Sequence, residues 1–252
     1  MRWCDDRHKR CSGRPPIAAI VVGLLASCCW LGVPAYGQAT VSEEVREFEI
    51  LVKDKPAGKS TLRISDLADG TTNVVSEVHV KLNYLVFVYR YDFSGQEKWR
   101  GARLLSSENR ATDDGKKFDA SAKLEADRYR IEANGRARGE PVIDMTTDYW
   151  RAPEMNESRR LTLMNADRGT IHTVRVERLA PETLTLGMQQ VNCSHYRFTG
   201  DVQAELWYDG QNRLVRQKSV EDGYPTELRL TRLNREMPRT AQNAPLGSPP
   251  LR

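Results

Sequence analysis

Over residues 41–235 apolar and polar side chains alternate with a period of two, and Asp-Gly and Asn-Gly pairs interrupt the alternation at short intervals. Successive side chains on a β-strand point to opposite faces, so this pattern suits strands with one buried and one wet face; it does not suit a helical bundle. Asp114-Gly115, Asn134-Gly135, Asp209-Gly210 and Asp222-Gly223 mark reversals. These pairs accept the positive φ of primed turns, whose twist matches paired antiparallel strands. Strands are expected over 45–52, 60–64, 103–110, 117–124, 128–132, 170–179, 191–198, 205–208, 214–220 and 226–233, with a turn at Asp54-Lys-Pro-Ala-Gly58 and the longest extended run over 74–93. One short helix fits after a loop, over 145–156, where Pro153 limits it. The expected fold is all-β: an antiparallel meander forming a large curved sheet, half-barrel or barrel, with at most one short helix.

The first 39 residues have a different character. A basic stretch ending at Arg14 leads into the uncharged apolar run 17–26, then Pro34 and small residues up to Ala39. That order is the order of a secretory signal peptide cleaved near Ala39. Two other readings stay open. The uncharged stretch is long enough for an uncleaved anchor. Leu25-Ala-Ser-Cys28 resembles the bacterial lipobox, which would make Cys28 a lipid attachment site. Residues 40–236 are then a single β-rich domain, and 237–252, with four of the twelve prolines, a flexible tail. The expected location is the periplasm or the extracellular space, with membrane contact only through Cys28 or an uncleaved leader.

Charge and cysteine content exclude several functions. Residues 40–252 carry 33 basic and 32 acidic side chains, too even a balance for a nucleic-acid footprint. Cys193 is the only cysteine beyond the leader, which excludes an internal disulfide and a cysteine-based zinc site. His79, His172 and His195 form no metal-ligand pattern, and no phosphate loop or nucleophile elbow occurs. His79 is expected on the solvated face of its strand. Cys193 and His195 share a strand face but stand roughly 7 Å apart, too far for a nucleophile–base pair. The carboxylate pairs Glu43-Glu44, Asp113-Asp114 and Glu221-Asp222 fall at strand ends, where solvated charge is ordinary. No catalytic residue, cofactor or metal is expected.

One stripe points toward binding. In a single strand over 74–93, Leu85, Phe87, Tyr89, Tyr91 and Phe93 would lie on one face and Val80, Leu82, Tyr84, Val86 and Val88 on the other. Core packing under cover on both sides accounts for this; so does a lining for an apolar ligand. On the second account Phe87, Tyr89, Tyr91 and Phe93 line the site, together with Trp99 and Trp207. Those two tryptophans head a weak internal repeat, because Glu97 to Asp114 and Glu205 to Asp222 span the same number of residues. Two like hairpins would explain it.

Several motifs in order carry a family resemblance: Glu97-x-Trp99 with Arg103-Leu104, Asp148-Tyr149-Trp150, Leu163-Met-Asn165 with Gly169, Tyr196-Arg-Phe-Thr-Gly200, and Glu205-Leu-Trp-Tyr-Asp209 with Arg213-Leu-Val215. In these the chain resembles an uncharacterised family of exported bacterial β-proteins, over roughly 45–235. More distantly it is similar to the curved-sheet and half-barrel carriers of the lipoprotein-carrier and lipocalin kind. The resemblance implies a location and an architecture, and no catalytic residue.

Three functions follow as expectations. The first is a non-enzymatic envelope protein that binds or carries a lipid-like ligand, since an apolar cleft needs no motif and each buried CH₂ contributes about 0.8 kcal/mol. The second is a structural or interaction module that docks an envelope protein through exposed aromatics of the Trp207-Tyr208 hairpin. The third, a hydrolase of envelope polymers, requires two carboxylates facing one cleft.

Overall fold

A computed structural model of the protein describes residues 40–83, 88–140, 142–154, 159–221 and 223–236. The leader with Cys28, the aromatic Phe87 and the tail 237–252 lie outside the described residues. Sixteen strands follow in order: β1 (Thr40–Val52), β2 (Lys55–Leu67), β3 (Thr72–Asn83), β4 (Val88–Arg100), β5 (Arg103–Asp113), β6 (Lys116–Glu125), β7 (Arg128–Ala133), β8 (Arg136–Glu140), β9 (Met145–Thr146), β10 (Arg159–Met164), β11 (Ile171–Arg178), β12 (Glu182–Leu186), β13 (Gln189–Gly200), β14 (Ala204–Tyr208), β15 (Leu214–Glu221) and β16 (Tyr224–Glu236). They form one curved sheet that does not close, and the described residues contain no helix.

The spatial order is β8-β7-β6-β5-β4-β3-β2-β1-β16-β15-β14-β13-β11-β10-β9, with β12 attached to β13 alone. Strands adjacent in sequence are therefore neighbours in space nearly throughout. β1 and β16 pair in the middle, and β8 and β9 are the two edges. All pairings are antiparallel except the short β9–β10 ladder. The turns obey the local chemistry. Asp114-Gly115 and Asn134-Gly135 have positive φ at both central positions, as type I′ hairpins require. The reversal expected at 54–58 falls earlier, at Lys53-Asp54, also with both φ positive, and β2 runs on through Pro56 and Gly58. A Cβ on Gly58 would stand 2.0 Å from the His79 carbonyl oxygen, so only glycine lets β2 approach β3 there.

Two expectations are corrected. The run 74–93 is not one strand: β3 and β4 fold back on each other with Asn83 opposite Val88. Directly paired residues share a face. Val78 pairs Phe93, Val80 pairs Tyr91 and Leu82 pairs Tyr89, so two sets read as opposite faces lie side by side on one. The expected helix is also absent over 145–154. Met145–Thr146 is β9, and Tyr149 has φ +46°. Thr147 N bonds Met164 O and Ala152 N bonds Asn212 O, so the segment is tied to other elements, and the one turn bond within it, Tyr149 N to Thr146 O at 3.3 Å, is not continued into a helix.

The inner face of the sheet carries the main core, which includes Phe48, Leu62, Val74, Trp99, Leu104, Ile131, Leu161, Leu163, Phe198, Leu206 and Tyr208. Tyr149, Trp150 and Ala152 pack into it as a plug. Tyr208 OH donates to Tyr149 O at 3.2 Å, and Arg46, almost fully buried, donates to Trp150 O. Arg46 is held by Glu44 at 2.6 Å; Glu44 also meets Arg213, which binds Asp209 at 2.7 Å. A smaller cluster, Leu184, Cys193, Trp207 and Val215, covers the outer face under β12.

Candidate functional site

Along β3 the inner-face residues pass from Val74 (0% exposed) through Ser76 (2%) to half-buried Val78, Val80 and Leu82. The core therefore stops partway along the strand, and beyond it the inner face opens into a cleft of about 540 Å³. That volume lies in the usual range for small-ligand sites. One wall is apolar: Phe48 and Ile50 of β1, Val78, Val80 and Leu82 of β3, and Tyr89, Tyr91 and Phe93 of β4, continued by Leu214 and Leu228. The half-exposure of six of these residues is the cost of keeping an apolar surface unfilled.

A polar strip lines one side of the same cleft, built by the loops around 147–149 and 165–168 against β3–β5. At the closed end, Ser76 Oγ donates to Asp148 Oδ2 at 2.7 Å. Gly95 lies opposite Ser76 and Asn109 in the sheet, where a Cβ would come within 2.5 Å of Asn109 Oδ1 and 3.0 Å of Ser76 Oγ. Farther out, Tyr91 OH donates to Asp167 Oδ2 at 3.3 Å, and Arg168 binds Asp113 at 2.8 Å and Asp167 at 3.7 Å. Burial pushes the Asp148 carboxyl up to about 6, and the nearby Asp167 adds to the rise. Asp167 is also raised by burial, with Arg168 opposing the shift. Behind Asp148, off the cleft, Glu97 is fully buried; burial first, and Asp148 second, push its carboxyl up to about 8.

The structure sorts the aromatics expected to line a site. Tyr89, Tyr91 and Phe93 line the cleft, whereas Trp99 and Trp207 do not. Trp99 is packed in the main core, 1% exposed, with its Nε1–H on Glu97 at 2.7 Å. Trp207 belongs to the outer cluster: it stacks on His195 with ring centroids 4.2 Å apart and donates to Glu182 at 2.7 Å. The two Glu-x-Trp hairpins thus turn their tryptophans to opposite faces and are not structural repeats. Trp207 and Tyr208 are 3% and 0% exposed, so their hairpin presents no aromatic to a partner. His79 is exposed and meets Asp92 at 2.8 Å.

Cys193 gives a direct check on the outer cluster. It is buried, its Sγ lies on Val191 O at 3.5 Å, and burial pushes its thiol up to about 11. The thiolate is the reactive form. At pH 8 iodoacetamide should leave Cys193 unmodified in the folded protein and alkylate it fully in urea, as read by peptide mass mapping. Rapid labelling without urea would contradict the burial. A second depression of about 500 Å³ lies between the β4–β5 turn and β10; it is lined by Arg100, Arg103, Arg151 and Arg159 together with Ile143, Met145 and Leu161.

A family model described as a domain of unknown function, DUF6134, matches residues 48–231. The chain belongs to the DUF6134 family. Every residue that lines the cleft lies within the matched part of this DUF6134 chain. No curated protein matches it. Among solved structures, the DUF6134 chain is similar to a beta-barrel-like protein of DUF1849 from Brucella abortus, at 8% identity and a TM-score of 0.59 over 79% of this chain and 99% of that one. That likeness is one of fold. A putative outer membrane lipoprotein-sorting protein domain from Vibrio parahaemolyticus aligns over 79% of this chain and 87% of its own, at 10% identity, with a TM-score of 0.23, too low to imply a shared fold. Within the DUF6134 domain, the Asp148-Tyr149-Trp150 motif forms the plug, and Asp148, Tyr149 and Asn165 face the cleft.

Proposed function

We propose that this protein is a non-enzymatic carrier of an apolar or amphiphilic ligand, exported to the bacterial envelope by its leader. The observation that carries the binding reading is the cleft: about 540 Å³, with an apolar wall whose half-exposed residues lie chiefly on the β3–β4 hairpin. Such a wall is unfavourable in water and becomes favourable once an acyl or other greasy chain covers it, at about 0.8 kcal/mol for each CH₂ buried. The basic–apolar–small order of residues 1–39 supports export, and Cys28 is the residue that a lipid anchor would use.

The purified protein should bind the neutral probe N-phenyl-1-naphthylamine with a rise in its fluorescence, and tetradecyl maltoside should displace the probe. Val80→Trp and Leu82→Trp place an indole in open space, so the melting temperature should stay within a few degrees while probe affinity falls at least about tenfold. No probe binding, or binding untouched in both variants, would overturn the carrier reading. A second reading has one observation behind it: Asp148 and Asp167 line the same cleft and both are raised, as an acid–base pair acting on a glycan would need. Release of reducing ends from envelope polysaccharide, lost in Asp148→Asn, would carry that reading.

A further inference from the structure

The charge along the cleft is one-sided. Four carboxyl groups line it, Asp113, Asp148, Asp167 and Glu221, against a single cation, Arg168. Arg168 is already committed, because Asp113 and Asp167 both hold it. Asp148 differs from the others. Its Oδ2 takes the Ser76 hydroxyl, no described residue donates to its Oδ1, and the charges acting on it are those of other carboxyls, Glu97 and Asp167. A half-buried carboxylate without a cation is costly, and a ligand that brings the cation recovers that cost.

We infer that the cleft selects single-chain amphiphiles with a protonated amine head, seated at the closed end with the ammonium on Asp148 and the chain along Val78, Val80, Leu82 and Tyr89. This rests on the carrier reading and adds the head-group class to it. An ammonium has three donors and no acceptor, so it can take Asp148 Oδ1 and still reach toward Asp167. A carboxylate head would meet like charge on that side, with its one possible partner, Arg168, already engaged. The groups that face Asp148 are Ser76 on β3, Glu97 and Tyr91 on β4, Tyr149 on its own loop, and Asp167 with Arg168 on the next; none of them is a free cation.

The test uses the full chain with N-phenyl-1-naphthylamine as the displaced probe and three ligands of equal chain length below their micelle concentrations: dodecylamine, dodecyl maltoside and dodecanoate. At pH 7.5 the amine should bind at least about tenfold tighter than the carboxylate, with the maltoside between, the size expected for one charge pair near a protein surface. Asp148→Asn should cut the amine-to-maltoside affinity ratio about tenfold. In the wild type the same ratio should shrink from pH 7.5 to pH 5, because Asp148 takes up its proton near pH 6. This pH comparison stands even if the variant does not fold. Equal affinities, a preference for dodecanoate, or an amine preference untouched by both the substitution and the pH change would overturn the inference and leave the carrier reading in place. No probe or ligand binding would overturn both.

Discussion

Trp99→Ala should lower the melting temperature by on the order of 10 °C or more, the largest effect expected of a single side chain here. The indole is 1% exposed, packs edge-on against Trp150 at 6.1 Å and lies 4.9 Å under the Arg151 guanidinium. Removing a buried tryptophan costs about 3–5 kcal/mol in transfer and cavity terms. It also takes the Nε1–H from Glu97, and stranding a buried acceptor adds about 1–3 kcal/mol. In a domain of this size each kcal/mol corresponds to roughly 2–4 °C. Trp99→Phe keeps most of the volume and should fall between wild type and alanine. A calorimetric melt of the three proteins checks this; a shift below about 3 °C for the alanine variant would mean that the indole is not part of the core.

Glu97→Gln should make the protein more stable at alkaline pH and flatten the dependence of its stability on pH. In the folded chain burial and the neighbouring Asp148 push the Glu97 carboxyl up to about 8 from an ordinary value of 4.5. The folded state therefore holds a proton that the unfolded chain has lost anywhere between those two values, so stability declines as pH rises from about 4.5 to about 8 and levels off above. The loss over that window is on the order of several kcal/mol. A glutamine keeps the shape and the acceptor for Trp99 but has no proton to lose. Urea unfolding at pH 5, 7 and 9 should show the wild type weakening across the series and the variant weakening less, holding nearly level from pH 7 to 9. Parallel curves for the two proteins would show that Glu97 is not the group responsible. Asp148 is also raised, and its own contribution, lost as pH rises from about 3.8 to about 6, should survive in the glutamine variant as a smaller decline that ends near pH 7.

The strands and most turns were legible because their causes are local. Alternation and Asp-Gly or Asn-Gly pairs located β5, β6, β7, β14 and β15 within a few residues. The short β9 and β12 have little alternation to show, and their pairing is set by partners. The site was legible by composition but not by geometry. Tyr89, Tyr91 and Phe93 stood out as a stripe, yet the reversal between Asn83 and Val88 flips the parity of everything before it, and no local residue announces the reversal. Glu97 and Asp148 read as ordinary polar positions. What buries them is the plug, whose Tyr208 and Arg46 hydrogen bonds and backbone bridge from Arg151 to Arg213 join residues far apart in sequence. Trp99 and Trp207 share a motif and differ in face, which a spacing rule cannot distinguish.

The pairing of β1 with β16 has a consequence for biogenesis. Most strands in each half of the sheet pair with a neighbour in sequence and can zip as they emerge, but the ladder that unites the halves joins residues 43–52 to 226–236. A polypeptide synthesised N-terminus first must keep the open rim of its first strand unmated until its last strand has been made. An unmated rim is a template for other chains. Truncated or stalled products that lack the last strand are the species on which holding chaperones should act, and they should aggregate when those chaperones are depleted.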